Sequence, residues 1–313
     1  MLKPHLLREL TLTPAVHPHQ RGWISAASGL VCVGNWAYVV ADDEQHLARL
    51  RWNIPAASDE AEPLQLTRLF DGELPADAKQ RKKAKADLET LVLLPAGKHL
   101  PHGALLAIGS GSKPNRCRGQ VLPMTAIGEI AVAARHTLDL HEWYQPLHKY
   151  FDDLNIEGAF VAQQQLRLLQ RGNKGGNQSA CLCYDYAEAE SWLLHHHDQP
   201  PRLRSSIPLD FGSVDGVPLC PTDAAAVSNG RWLVSLVAED TRDSYTDGRC
   251  IASAIAVMNS DNTVDQLHRL EGNPKVEGLA ITSSSRSSLD LLMVTDADDP
   301  ARPAQLLQVQ LAL

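Results

Sequence analysis

The chain has 313 residues, 44% of them hydrophobic and 21% charged, with a formal net charge of −8 at pH 7. This is globular composition with ample apolar material for a core, and the acidic balance argues against a nucleic-acid-binding protein. No stretch is long enough to span a bilayer, and "MLKPHLLRELTLTP" lacks the apolar core of a signal peptide, so no membrane contact is expected and a cytoplasmic home is.

In chain order, "HLLRELTLT" (5–13) alternates like a strand and belongs to none of the repeated units. The first unit begins at "SAASGLVCV" (25–33), and related openings recur at "DLETLVLL" (87–94), "NIEGAFVA" (155–162), "PTDAAAVS" (221–228) and "KVEGLAIT" (275–282). Aligned on their polar residue, these place Ser28, Glu89, Glu157, Asp223 and Glu277 in register, with gaps of 61, 68, 66 and 54 residues. Each opening leads to a second strand ending in a polar cluster: "WAYVVADDE", "ALLAIGSGS", "LRLLQRGNKGG", "WLVSLVAEDT" and "LDLLMVTDADDP". Third strands come next in "HLARLRW", "GQVLPMTAI", "SACLCYDY", "CIASAIAVM" and "AQLLQVQLAL". Fourth strands come from "LQLTRLF", "IAVAARHTLDL", "RLRSSIPLD" and "TVDQLHRL", but the fifth unit has none. Residues 5–13 supply the missing strand by pairing with 304–312. The expected fold is therefore all-β: one domain, 1–313, forming a five-bladed β-propeller closed by its N-terminal strand. Six blades remain the alternative if 128–153 hides another sheet.

A propeller explains the repeated acids. Inner strands line the central channel, so residues at their starts converge at one mouth. Glu89, Glu157, Asp223 and Glu277 form a partial acidic ring there, with Ser28 in the fifth place. The polar ends of the second strands open on the same face. Two carboxylates about 5 Å apart repel by roughly 3 kcal/mol at an effective dielectric near 20. The ring therefore needs a cation, shared protons or basic partners. Lys275, Arg171, Lys174, Arg116 and Arg118 are candidate partners, and calcium suits the oxygen-only donors. The alternative is that each acid simply accepts backbone N–H groups of the next blade.

The "EGLA", "EGAF" and "ETLV" motifs, "GSGS" with its basic residues, "LLQRGNKGG" and "VTDADDP" resemble an uncharacterised bacterial propeller family similar to the phytase-like, esterase-like propellers. The resemblance implies the propeller fold and a calcium-assisted hydrolase of a phosphorylated small molecule. Ser28, where an acid is expected, departs from a complete metal ring.

Other segments have two readings each. "KQRKKAK" (79–85) is a solvated loop or a lure for an anionic ligand. "HEWYQPLHKYF" (141–151) is a plug over a blade edge or a pocket wall in which Trp143 or Tyr144 stacks on a ligand. "HHH" (195–197) reads as a loop. "GSGSK" lacks P-loop spacing, and "SAASG" is no nucleophile elbow. Of six cysteines, Cys181 and Cys183 have strand spacing that puts both thiols on one face, as packed thiols or as a disulfide or metal pair.

These residues admit three functions. The first is metal-assisted hydrolysis of a small anionic molecule. Glu89, Glu157, Asp223 and Glu277 are its catalytic candidates, with Glu89, Glu157 and Glu277 as metal ligands. Arg171, Lys174, Arg116, Lys113, Lys275 and Ser28 would bind the substrate. The second is a non-catalytic propeller that binds a small molecule or protein partner. The third is a glycosidase with paired acids in the funnel.

Overall fold

The computed structural model describes residues 1–53, 62–173, 178–240 and 248–313. Five four-stranded antiparallel sheets form a ring. Their inner strands are Ala27–Val33, Leu88–Leu94, Ile156–Ala162, Cys220–Ala226 and Val276–Ser284, which begin blades 1 to 5. In blades 1 to 4 the strands succeed one another outward in chain order. In blade 5 the outermost strand is His5–Glu9, paired antiparallel with Gln305–Ala312 in the register His5 to Gln308. The ring thus closes with the N-terminal strand, as the sequence predicts.

Apolar alternation on both faces of each sheet dictates this arrangement. Every blade needs a neighbour on either side, and five buried clusters fill the five interfaces. Tyr38 and Val40 of blade 1 meet Leu88 and Leu105 of blade 2, and Leu106 and Ile108 of blade 2 meet Leu166 and Leu168 of blade 3. Phe160 of blade 3 stacks on Trp232 of blade 4 with centroids 5.0 Å apart. Ile255 and Val257 face Leu289 and Leu291 between blades 4 and 5. Leu292 and Val294 close on Leu30 and Val39, where Leu10 and Leu12 from the N-terminal segment are also buried.

Region 128–153 holds no extra sheet among the described residues. Its strand His136–Asp139 is the outer strand of blade 2, and helical turns succeed it at His141–Tyr144 and Gln145–Lys149. Trp143 and Tyr144 are fully buried, with Trp143 edge-on to Tyr184 and Trp192, so these two rings pack as a plug, while the polar residues His141, Glu142, Gln145 and His148 of the same segment line a cavity away from the axis. The basic run is an α-helix, Ala78–Ala84, capped by Asp77 accepting from Gln80 N–H at 2.9 Å, instead of a loop. A short hairpin, Ser213–Val214 with Val217–Pro218, precedes blade 4. No helix is long and apolar enough to cross a membrane among the described residues.

Candidate functional site at the channel mouth

The five inner strands share a local device. Each ladder slips by one residue near its start: Ser28, Glu89, Glu157, Thr222 and Glu277 are the extra, bulged residues. A bulge bends the strand and re-aims the side chain. The residue after it approaches the next blade closely. A Cβ on Gly29 would sit 2.8 Å from Leu91 N, one on Gly158 2.7 Å from Asp223 Cα, and one on Gly278 2.9 Å from Leu30 N. The recurring acid–glycine pair is therefore a bulge joined to a near-contact of backbones.

Ser28, Glu89, Glu157 and Glu277 line a single cavity of about 640 Å³ at the axis. Asp223 does not join them, and the alignment of blade 4 is one residue out. Thr222 is the bulged residue there, hydrogen-bonding Val276 O at 2.8 Å. Asp223 falls in the glycine position, where its carboxylate accepts from Ala224 N–H and from Leu279 N–H of blade 5, both at 2.8 Å. It is a blade-to-blade staple, and burial holds its pKa far above the usual range against the pull of those N–H groups.

The cavity wall holds ten carboxyl groups and six basic side chains. They divide into two halves. On blades 3 to 5, Arg171 bridges Glu239 at 2.8 Å, Glu157 at 3.3 Å and Glu277 at 3.5 Å. Lys275 meets Asp298 at 2.5 Å and Asp296 at 3.2 Å, with Glu239 and Glu277 beyond 3.5 Å. Asn155 donates to Glu157 Oε1 at 2.5 Å. Glu277 Oε2 has no hydrogen-bond partner, although the residue is only 4% exposed. On blades 1 and 2, Lys85 bridges Asp42 and Asp87, the latter at 2.8 Å, and Arg116 reaches Asp87 at 2.6 Å. Ser110 donates to Asp87 at 2.5 Å. Asp42, Asp87 and Glu89 each offer one oxygen within 4.8 Å of the others.

Acids outnumber bases, so the site holds protons. Burial raises Asp42 to about 7 despite Lys85, and Asp298 to about 7 despite its Lys275 partner. Burial raises Glu277 to about 8 against Arg171 and Lys275. Burial, then the Glu157 charge, pushes Glu89 well above the carboxylate range. Asp87 goes the other way: burial raises it, but Lys85 and Arg116 bring it below its ordinary value. Neighbouring carboxyls held at opposite ends of the scale can give and take protons at neutral pH.

The remaining candidates are dispersed. Ser28 lies on the wall, donating to Ala26 O at 3.1 Å. Arg171, Arg116 and Lys275 are on it too, each tied to acids. Lys113 lies elsewhere, lining a second cavity of about 500 Å³ with Cys117 and His148. Arg118 covers the Phe70 ring at 4.4 Å. Lys174 lies outside the described residues. The motif alignment missed Asp87 and Asn155 as site residues, although they stand two positions before bulged acids, as Lys275 does. Period-two alternation was the available signal. Glu239, like Asp42, Asp296 and Asp298, is one of the polar second-strand ends expected on this face, and Lys85 was marked only as part of the basic run 79–85.

The site and sheets define a five-bladed β-propeller with a charged axial cavity. The chain belongs to a family of unknown function, DUF6929, whose pattern matches residues 23–311. No curated protein matches it in sequence. Its fold is similar to the α-L-arabinofuranosidase PaAbf62A of Podospora anserina, with 9% identity, 99% of this chain and 96% of that one covered, and a TM-score of 0.51. Weaker likenesses include a glucose dehydrogenase (11% identity, 98% of each chain, TM-score 0.49). Another is the calcium-binding protein regucalcin of Agrobacterium tumefaciens (10% identity, 92% of this chain and 90% of that one, TM-score 0.44). At 9% identity the likeness to the arabinofuranosidase speaks for the fold alone.

Proposed function

We propose that the axial cavity binds a divalent cation of calcium type and a small anionic molecule, and hydrolyses a phosphoester with the cation's help. The observation that carries this reading is the convergence of Asp42, Asp87 and Glu89, three oxygen donors within 4.8 Å. Oxygen-only donors on rigid strand ends suit a hard cation. Lys85 holds two of the three, so cation binding requires its ammonium to swing away. A bound cation would polarise the substrate and lower the pKa of attacking water. The chain's own groups do the rest. Arg116 keeps Asp87 ionised, and the displaced Lys85 and the rim of helix 78–84 (Arg81, Lys82) face the anion. Glu277, which lines the cavity and is held protonated near neutral pH, with an Oε2 that has no hydrogen-bond partner, would give a proton to a leaving oxygen.

The test is a calcium titration read by melting temperature, with a panel of phosphomonoesters and phosphodiesters assayed for release of phosphate or alcohol. Expected are a calcium-dependent rise of several degrees and calcium-dependent turnover, both lost in Asp42→Asn and Glu89→Gln. Stabilisation without turnover supports the non-catalytic binding reading, which the pairing of Arg171 and Lys275 with acids favours. Neither effect at millimolar calcium overturns both.

A further inference from the structure

Far from the axis, the face of blade 3 that meets blade 4 buries a polar group the axial site does not use. Cys181 and Cys183 are 0% and 1% exposed, and their Sγ atoms lie 4.0 Å apart. The ladder sets Arg167 opposite Cys183 on one side and Ser205 on the other. Arg167 is itself only 4% exposed, with its guanidinium 5.6 Å from the Phe160 ring centroid. Its donors go to neutral oxygens: Gln165 Oε1 at 3.1 Å, Asn262 Oδ1 at 3.2 Å and Gln163 Oε1 at 3.1 Å. Among the described residues it makes no ion pair with a carboxylate. A guanidinium does not shed its proton, so a buried positive charge stands there with no carboxylate paired to it among the described residues. Strand alternation sets three further ionisable groups on its face: the two thiols and, at the strand end, Asp185, whose carboxylate is engaged in accepting from Glu188 N–H at 3.0 Å.

We infer that Cys181 and Cys183 form a binding site for a soft monovalent cation, Cu(I) or Ag(I), with Arg167 as the balancing charge. Soft thiolates select such ions. With metal–sulfur bonds of about 2.3 Å, sulfurs 4.0 Å apart subtend about 120° at a shared ion, so little movement is needed. Two thiolates with a monovalent ion sum to −1, and Arg167 brings the buried group to zero. A divalent ion would leave a net positive charge in an apolar interface, which is strongly unfavourable. The arginine therefore sets the valence. Binding displaces the thiol protons, and burial behind Phe160 and Trp232 makes exchange slow. A disulfide suits the pair less well: residues two apart on a strand have Cα atoms about 6.6 Å apart, near the upper limit for a bridge.

The reduced full-length protein is equilibrated without oxygen against Cu(I) buffered by bicinchoninate, then desalted. The wild type is expected to retain one copper per chain with sulfur neighbours in X-ray absorption, and no zinc under the same treatment. Cys181→Ser/Cys183→Ser should lose the copper, whereas the control Cys32→Ser/Cys250→Ser keeps it. Arg167→Met should lower Cu(I) affinity about 10-fold to 100-fold and narrow the preference over zinc. Copper retained equally without Cys181 and Cys183, or zinc bound as tightly as copper, overturns the site. If the double variant does not fold, silver-loaded wild type is denatured in iodoacetamide and its peptides mapped. Protection of residues 181 and 183 above the other four cysteines supports the site, and equal alkylation of all six overturns it.

Discussion

Blades 2 and 4 open on similar letters, "LET" and "PTDA", and put their acids to opposite uses. In blade 2 the acid is the bulged residue, and Glu89 projects into the axial cavity beside Asp87 and Asp42. In blade 4 the bulge falls on Thr222, and the acid comes one residue later, where three other blades have glycine. One step along a strand turns a side chain to the other face. Glu89 therefore faces a polar cavity with other acids, whereas Asp223 faces two backbone N–H groups in the joint between blades. The chemistry is the same carboxyl; register decides whether it serves a site or a scaffold.

That contrast can be broken most directly at Asp223. Asp223→Ala removes the acceptor of two buried N–H groups, each worth about 1–3 kcal/mol when left unpaired, so a loss on the order of 3–5 kcal/mol is expected. Urea denaturation checks it. A variant within about 1 kcal/mol of the parent would mean that Asp223 is no staple. Next in size is Gly158→Ala, whose methyl would enter 2.7 Å from Asp223 Cα. Overpacking of this kind costs about 1–3 kcal/mol. The same denaturation curve reads it, and full stability would show that blades 3 and 4 can part at the axis.

The pH dependence sharpens the comparison on the cavity side. Asp42 and Asp298 at about 7 and Glu277 at about 8 are raised above their unfolded values. Raised acids contribute stability that is fully present below the unfolded carboxylate range, near pH 4, and is lost as pH rises through 7 to 8. The metal-free protein should therefore melt several degrees lower at pH 8.5 than at pH 5.5. Added calcium should recover more of that loss at pH 8.5, because it competes there with fewer protons. A calcium effect equal at both pH values would place the ion away from these acids.

The smallest effect on folding is expected from Glu89→Gln, which removes a carboxyl that burial and Glu157 already keep protonated. Stability should change by less than about 1 kcal/mol or rise slightly, while calcium stabilisation disappears. Calorimetry of calcium binding alongside the melting curve separates the two. If Glu89→Gln unfolds as readily as Asp223→Ala, the two acids play one structural part after all.

The sequence by itself determined the architecture, because a propeller is written in local signals. Alternating strands such as "WAYVVA" and "LDLLMVT", polar turns between them and a repeat near sixty residues mark each blade. The surplus "HLLRELTLT" and the fifth unit's missing strand left one way to close the ring. Position on the channel was legible for Glu89, Glu157 and Glu277, since an acid next to a small residue marks a bulge and a close backbone approach. It was not legible for blade 4, where Thr222-Asp223 and Asp223-Ala224 both fit and only the ladder chooses. The sequence offered Arg171, Lys275 and Arg116 as basic partners for the acids, but which acids each one meets belonged to the tertiary structure. Arg171 joins acids from blades 3, 4 and 5, and Lys85 joins blades 1 and 2. Residues so far apart in the chain meet only because five sheets turn about one axis, and burial at that axis, absent from any string of letters, decides which acids keep their protons.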